Sequence, residues 1–111
     1  MQIATETFGN VLVAHTPDEL NEDNTPVLLD ALDESIEAGQ ANIVLQMDHT
    51  EQYDSIGLTA LVDLHDRLRS AGGNLKISGL GDPGRKIFEL TRLEQRFDLY
   101  ESVIDAVGSF Q

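Results

Sequence analysis

Short apolar runs and segments with helical periodicity alternate along this chain from residue 41 onward. Residues 41–47 are apolar or β-branched at most positions, as expected of a strand that is covered on both faces. Apolar side chains then recur with helical spacing over residues 58–68, and Gly72-Gly73 ends that helix. Residues 74–78 predict the next strand. This order is typical of an α/β domain whose sheet is mainly parallel.

The N-terminal segments add a hairpin and a helix. Residues 2–7 and 11–15 are short strand-like runs, and the Gly9-Asn10 turn between them predicts an antiparallel pair. Thr25 followed by Pro26 predicts a helix start, with the threonine hydroxyl as the cap and proline at the first helical position. Apolar residues mark one face of this helix and carboxylates fill the other.

The C-terminal segments continue the alternation. Asp82 and Pro83 predict a further helix, with Asp82 as its cap and Leu90 among its apolar positions. Residues 97–100 predict a last strand, and Ser102 is expected to cap a closing helix. The complete pattern predicts an α/β fold with a mixed, mainly parallel central sheet and helices packed against it. A chain of 111 residues has room for one such core, so one domain is expected.

Composition excludes several classes of function. The chain has 7 Lys+Arg and 20 Asp+Glu, a net charge of -13, which repels nucleic acid and anionic membrane surfaces. The absence of cysteine excludes disulfides, thiolate metal sites and thiol nucleophiles. The N-terminus lacks the pattern of a signal peptide, and no apolar stretch approaches the roughly 18 residues of a membrane span. A soluble, cytoplasmic protein is expected.

The charges are unevenly distributed along the chain. All seven basic residues lie at position 67 or beyond, whereas residues 1–66 carry 14 of the 20 acids. The first part therefore has a charge of -14 and the remainder a charge of +1. An acidic face of this kind would steer a basic partner toward the molecule. An acidic proteome, in which surplus carboxylates only solvate the surface, explains the same composition.

Several motifs occur in a fixed order along the chain. The strand at residues 41–47 is followed by a loop and then by Asp-Ser-Ile-Gly-Leu at positions 54–58, where a helix begins. Residues 20–25 read Leu-Asn-Glu-Asp-Asn-Thr, and residues 87–93 read Ile-Phe-Glu-Leu-Thr-Arg-Leu. Together these segments resemble the STAS domain of bacterial anti-sigma-factor antagonists. The resemblance covers nearly the whole chain and implies a STAS-like domain over residues 1–111.

The resemblance also implies a function. Ser55 falls on the position of the family's phosphoacceptor serine. An unmodified domain of this kind binds an anti-sigma factor that is also a serine kinase and thereby frees a sigma factor. Phosphorylation breaks the complex, and a serine phosphatase resets the switch. Neither a cofactor nor a metal is implied. The residues expected to contact the partner are Asp54, Ile56, Gly57, Asn21 and Asn24.

The residues around Ser55 are consistent with this function on physical grounds. A serine in the first turn of a helix at a strand end is exposed and lies beside free amide N–H groups. Phosphorylation adds roughly -1.5 to -2 charges, and Asp48, Glu51 and Asp54 would make the surrounding surface still more negative. The switch would then act by repelling a docked partner. Alternatively, Ser55 or Asp54 is only a helix cap, worth about 1 kcal/mol.

Three positions depart from the family's pattern. Ile56 stands where a second serine is common, so a single hydroxyl remains in the motif. Asn21 replaces an aspartate, which affects any contact that requires a carboxylate. Arg92 replaces a glycine near a helix end. A STAS-like interaction module that is not phosphorylated, within a larger signalling assembly, is the alternative function.

Other motifs suggest enzymes, but each of them is incomplete. Residues 79–84 read Gly-Leu-Gly-Asp-Pro-Gly, a dinucleotide-type fingerprint, yet too little chain follows for such a fold and Pro83 removes an N–H group. Ser55 lacks the Gly-x-Ser-x-Gly elbow of a serine hydrolase. His65 lies on the apolar face of its helix, and the three histidines lack zinc-type spacing. We therefore expect a binding protein with no catalytic residues.

Overall fold

The computed structural model describes residues 3–110. The strands are β1 (Thr5–Phe8), β2 (Val11–His15), β3 (Glu19–Leu20), β4 (Asn42–Gln46), β5 (Gln52–Tyr53), β6 (Asn74–Ser78) and β7 (Asp98–Tyr100). The helices are α1 (Thr25–Glu37), α2 (Ser55–Ser70), α3 (Asp82–Thr91) and α4 (Val103–Gly108), with a 3₁₀ turn at Leu93–Gln95. The predicted first run began at Gln2, which lies outside the described residues.

Five strands form the central sheet in the order β1-β2-β4-β6-β7. The β1–β2 hairpin is antiparallel, whereas β2, β4, β6 and β7 pair in parallel. The prediction of a mixed, mainly parallel sheet is therefore confirmed. Because the parallel strands share one direction, the loops that follow β2, β4 and β6 meet at one edge of the sheet. No helix among residues 3–110 is long and apolar enough to cross a membrane.

Alternate residues of the strands build two separate cores. On one face, Ile43 and Leu45 of β4 pack with their neighbours beneath α1, α2 and α3. On the other face, Val44 joins Val11 and Val13 beneath the short helix α4. This alternation follows from the two-residue period of a strand, and it explains why β4 is apolar at consecutive positions.

The helix starts agree with two of the four predicted caps. Ser102 accepts a hydrogen bond from the Asp105 amide at the start of α4, as predicted. The caps assigned to Thr25 and Asp82 are wrong by one position, because Asn24 and Gly81 occupy the capping positions of α1 and α3. In both cases the proline takes one of the first helical positions, so the preceding residue is already helical. The fourth cap, at α2, belongs to the site described below.

Helix α3 also differs from expectation at its apolar face and at its end. Leu90, which was predicted to lie on the apolar face of α3, is 75% exposed, whereas Phe88 is buried. Arg92 follows the helix with φ of 61°, a left-handed conformation that favours glycine. The backbone turn therefore persists although an arginine occupies its position.

A second, very small sheet was not predicted. Strands β3 and β5 pair in parallel over two residues each, with Glu19 opposite Gln52 and Leu20 opposite Tyr53. Such short strands carry no periodic signal in a sequence. Their pairing joins the segment before α1 to the segment before α2 and thereby positions the loops around Ser55.

Candidate functional site

Ser55 is the first residue of α2 and its side chain is exposed. The helix begins after β4 and β5, at the sheet edge where the parallel strands end. The cap is the preceding residue: the Asp54 carboxylate accepts a hydrogen bond of 2.8 Å from the Gly57 amide. Asp54 therefore satisfies one of the free amides of the first turn, as an N-cap does. Of the two caps considered at this helix start, the structure selects Asp54.

Asp54 also ties α2 to the loop before α1. Its second carboxylate oxygen accepts from the Glu22 amide at 3.1 Å, and its own amide donates to the Leu20 carbonyl at 3.0 Å. The structure thus brings the predicted segment at Asn21 and Asn24 to the start of α2. Residues 32 positions apart in the chain share one surface.

Asn21 and Asn24 lie in this surface, but their amide groups serve the turn itself. The Asn21 side-chain oxygen accepts from the backbone amides of Asp23 and Asn24, each at 2.9 Å. The Asn24 side-chain amide donates to the Glu19 carbonyl at 3.1 Å. An aspartate at position 21 could accept the same two hydrogen bonds, so the substitution of asparagine preserves this turn.

Gly57 is buried against the backbone of β3. A Cβ atom at this position would lie 2.4 Å from the carbonyl oxygen of Leu20. This distance is far below contact distance, and the obstacle is backbone that cannot rotate away. Glycine is therefore required for α2 to approach β3, and Gly57 acts through this packing rather than through a side chain.

Buried hydroxyl groups support the loop between β4 and α2. Thr50 Oγ1 lies 2.5 Å from Thr16 Oγ1 and donates to the Pro17 carbonyl at 2.6 Å. The Tyr53 hydroxyl donates to the Thr50 carbonyl at 3.3 Å. Burial raises the pKa of Tyr53 to about 12, so its phenol stays protonated and remains a donor at neutral pH.

An open groove of about 540 Å³ lies between α1 and α2 and includes Ser55. Three carboxylates line it, those of Asp30, Asp33 and Asp63. Ile56 also lines the groove and is 48% exposed, although it is a large apolar residue. The groove is therefore apolar in part, acidic, and continuous with the Ser55 hydroxyl.

The acids of this groove were not predicted from the sequence. Asp48 and Glu51 were expected beside Ser55, but they line a separate cavity of about 410 Å³ at the same end of the molecule. Helical spacing could have identified Asp63 as a neighbour of this site, since it lies eight residues after Ser55 and thus on the same face of α2.

The motifs that suggested other chemistry have structural roles here. Gly84 of the glycine-rich turn packs against Leu80 and Tyr53, where a Cβ would approach the tyrosine hydroxyl to 2.7 Å. His65 is buried against the Phe97 ring, with 5.0 Å between the ring centroids. Among residues 3–110, no three histidine, aspartate or glutamate side chains converge into a group that could hold a metal ion.

The chain matches a known protein family and is similar to several solved structures. Residues 2–106 match the family model of the STAS domain. A comparison with curated protein sequences gives no match. Among solved structures, TM1081 of Thermotoga maritima has a TM-score of 0.87 and 21% identity, covering 96% of this chain and 92% of that chain. An anti-sigma factor antagonist from Mycobacterium paratuberculosis has a TM-score of 0.83 and 23% identity, covering 97% and 92%.

The anti-sigma factor antagonist SpoIIAA is similar in both of its phosphorylation states. Its unphosphorylated form has a TM-score of 0.82 and 15% identity, covering 97% of this chain and 95% of that chain. The phosphorylated form from Bacillus has a TM-score of 0.77 and 15% identity, covering 98% and 99%. At these identities the likeness shows the fold.

Proposed function

Because this chain belongs to the STAS domain family, we propose that it is a phosphorylatable protein-binding switch, an anti-sigma-factor antagonist. The unphosphorylated chain binds an anti-sigma factor that is also a serine kinase, and a sigma factor is thereby freed. Phosphorylation of Ser55 breaks the complex, and a serine phosphatase restores the binding form. The protein acts in the cytoplasm through protein contacts, without nucleic acid or a membrane surface.

One observation carries this proposal. Asp54 caps α2, so the exposed hydroxyl of Ser55 is not needed to satisfy the first turn of the helix. A serine that served only as a cap would be held by that hydrogen bond and withheld from transfer. In the transfer, Ser55 Oγ attacks the γ-phosphorus of ATP, its proton passes to a base of the kinase, and ADP leaves.

The surroundings of Ser55 support release by the desolvation of a new charge. A phosphate would add roughly -1.5 to -2 charges beside a groove that already holds three carboxylates. The amides of the first turn of α2 favour this phosphate locally. A docked partner whose apolar side chains pack on Ile56 would cover Ser55, so a phosphate there would become a desolvated anion without a counter-charge.

The surroundings of Ser55 support a binding protein rather than an enzyme. A nucleophilic serine requires an adjacent general base, most often histidine. Within the described part of the chain, no histidine lines the groove that contains Ser55. His65, on the same helix, is buried in the core beneath α2.

Intact-mass measurement tests the phosphorylation step. The protein is incubated with ATP and its partner serine kinase, and the expected product carries one phosphate, which peptide mapping places at Ser55. Ser55→Ala abolishes the addition, whereas Thr59→Ala, which removes an exposed hydroxyl of the same groove, retains it. A phosphate at another residue contradicts the assignment. No phosphate at all favours the alternative, a STAS module without phosphorylation in a larger signalling assembly.

Calorimetry with the same kinase tests the switch. Ser55→Asp is expected to weaken the complex by about 2 kcal/mol, because it places an unpaired charge in the interface. Ser55→Ala binds about as well as the unmodified protein. Ser70→Asp adds the same charge at the exposed far end of α2 and serves as the control. Equal affinities for the alanine, aspartate and phosphorylated forms would remove the switch.

A further inference from the structure

The groove between α1 and α2 extends well beyond Ser55. A second cavity of about 250 Å³ continues along the same two helices and shares Leu29, Asp33, Ala60 and Asp63 with the first. It reaches Arg67 of α2. At 1.5 Å per residue, the stretch of α2 from Ser55 to Arg67 is about 18 Å long, or slightly more than three helical turns. The groove is thus long enough to receive a short helix.

The charges along the groove are only partly neutralised. Asp33 pairs with Arg67 across the two helices. Asp30 lines the Ser55 end and Asp63 lines both cavities, and neither takes part in an ion pair within residues 3–110. No lysine or arginine of those residues lines this end of the groove. The open carboxylates therefore match a partner that brings cations.

Apolar side chains lie between these carboxylates. Ile56 is 48% exposed in the first turn of α2, next to Ser55, and Leu29 and Ala60 line the groove beside it. An apolar strip flanked by acids is complementary to a helix that has one apolar face and basic residues on its flanks. A second copy of this chain fits poorly, because it would bring a net charge of -13 to an acidic surface.

We propose that this groove binds a basic amphipathic helix of the partner, and that Ile56, Asp30 and Asp63 determine which helix it accepts. The proposal rests on the proposed function, because the partner is the anti-sigma factor whose contact Ser55 controls. Apolar side chains of the bound helix pack on Ile56, and its lysine or arginine residues face the two aspartates. Ser55 lines one end of this groove, so a phosphate on its hydroxyl would occupy space that the bound helix needs.

A model peptide tests the groove without the natural partner. The probe is a helical peptide of roughly 14 residues, enough to span the groove, with leucines at helical spacing and lysines and arginines on both flanks. A scrambled peptide of identical composition is the control. We expect the amphipathic peptide to bind the full chain at least tenfold more tightly than the scrambled one. NMR shift changes are expected at residues that line the groove.

Variants of the chain separate recognition from general attraction between opposite charges. Ile56→Ala is expected to weaken peptide binding about tenfold, and Asp30→Asn and Asp63→Asn about fivefold each. The matched control is Asp105→Asn, which removes an exposed acid of α4 on the opposite face of the sheet and should change the affinity less than twofold. Unfolding curves confirm that each variant is folded.

Three outcomes would overturn the proposal: equal binding of the scrambled peptide, shift changes centred outside the groove, or an equal loss for Asp105→Asn. These results leave the proposed function standing if kinase and ATP still modify Ser55 and release the partner. Conversely, the peptide binds the groove in one further outcome, but phosphorylation of Ser55 leaves the affinity for the partner unchanged. That outcome would support the groove as a docking site and contradict the phosphorylation switch. The two failures are therefore distinguishable.

Discussion

At the scale of single residues, the start of α2 depends on a glycine more than on any side chain. Gly57 lies where a methyl group would meet the Leu20 carbonyl oxygen at 2.4 Å. The same approach lets the Asp54 amide reach the Leu20 carbonyl, so the packing and the cap depend on one another. A larger residue at position 57 would separate α2 from β3 and distort the surface around Ser55.

We expect Gly57→Ala to lower the free energy of unfolding by about 2 kcal/mol, because overpacking against backbone outweighs the gain in helix propensity. Urea unfolding measures the change. Gly108→Ala is the control, since a Cβ on that helical glycine meets no atom within 4 Å. The control is expected to be neutral or stabilising by up to about 1 kcal/mol. Equal stability of Gly57→Ala and the unmodified protein would contradict the packing argument.

Local chemistry made the start of α2 predictable, but not the surroundings of Ser55. Asp54 and Ser102 are short polar residues directly before a helix, and both cap it. Thr25 was misassigned because the loop before α1 has its own turn: Asn21 accepts from the Asn24 amide, and its carbonyl accepts from the Thr25 amide. Such a turn depends on the backbone path, which composition alone does not determine.

At the scale of elements, α3 ends in a conformation that its sequence does not favour. Arg92 has φ of 61°, and a non-glycine residue in the left-handed region costs about 1 kcal/mol or more. The Arg92 amide still donates to the Glu89 carbonyl at 3.2 Å, so the helix end keeps its hydrogen bond. The chain therefore retains a strained position that glycine would relieve.

Arg92→Gly is expected to raise the free energy of unfolding by about 0.5–1 kcal/mol, since the relief exceeds the entropy that glycine adds to the unfolded chain. Lys86→Gly is the matched control: it also replaces an exposed cation of α3, but inside the helix, and should cost about 1 kcal/mol. Denaturant unfolding of both variants checks the opposite signs. A destabilised Arg92→Gly protein would show that the arginine makes a contact that outweighs its strain.

Helix α2 carries a histidine whose protonation opposes folding. Burial, followed by the nearby Arg96 charge, lowers the pKa of His65 below its ordinary value of 6.5. Its Nε2 lies 3.2 Å from the Asn74 side-chain oxygen, and its buried Nδ1 has no hydrogen-bond partner among residues 3–110. The unfolded chain therefore binds this proton more readily than the folded chain does.

The contribution of His65 to stability is present above pH 6.5 and is lost as the pH falls below that value. Urea unfolding between about pH 5.5 and 8 should show stability rising with pH. His65→Gln, which cannot take up a proton, is expected to flatten this rise even though it lowers overall stability. An unchanged slope in the variant would assign the pH dependence to other groups.

The larger elements were predictable because their patterns are long. The alternation of β4, α2 and β6 extends over more than 30 residues, with a continuous apolar run in β4 and helical periodicity in α2. Strands β3 and β5 have two residues each, too few for any period, and only their mutual pairing defines them. The groove between α1 and α2 was missed for a related reason, since it belongs to two helices whose relative placement comes from packing.

At the scale of the whole molecule, the acidic and basic parts of the chain are partly mixed. Arg67 pairs with Asp33, and Arg96 pairs with Asp66, so two basic residues neutralise acids from the N-terminal part. The net charge of the chain is -13, and Asp30 and Asp63 of the groove beside Ser55 lie outside these two pairs. The electrostatic potential around the molecule is therefore negative on the side where docking is proposed.

Association with the kinase should slow as salt rises. Raising NaCl from about 0.1 to 1 M shortens the Debye length from about 10 to 3 Å, which screens steering between the two proteins. We expect the association rate constant to fall severalfold, while the dissociation rate constant changes little. Stopped-flow or surface-based kinetics measures both. An association rate that is independent of salt would contradict electrostatic steering. It would not affect the proposals about Ser55 and the groove between α1 and α2.

The pairing of β3 with β5 has a consequence for the thermodynamics of recognition. The two loops that form the surface around Ser55 are already joined by this pairing, by the bonds of Asp54 and by the buried Thr16–Thr50 contact. A partner therefore meets a surface whose conformational entropy was lost when the domain folded, and little further ordering accompanies binding. A moderate interface can then bind tightly, and under the proposed function a single phosphate would be enough to release the partner.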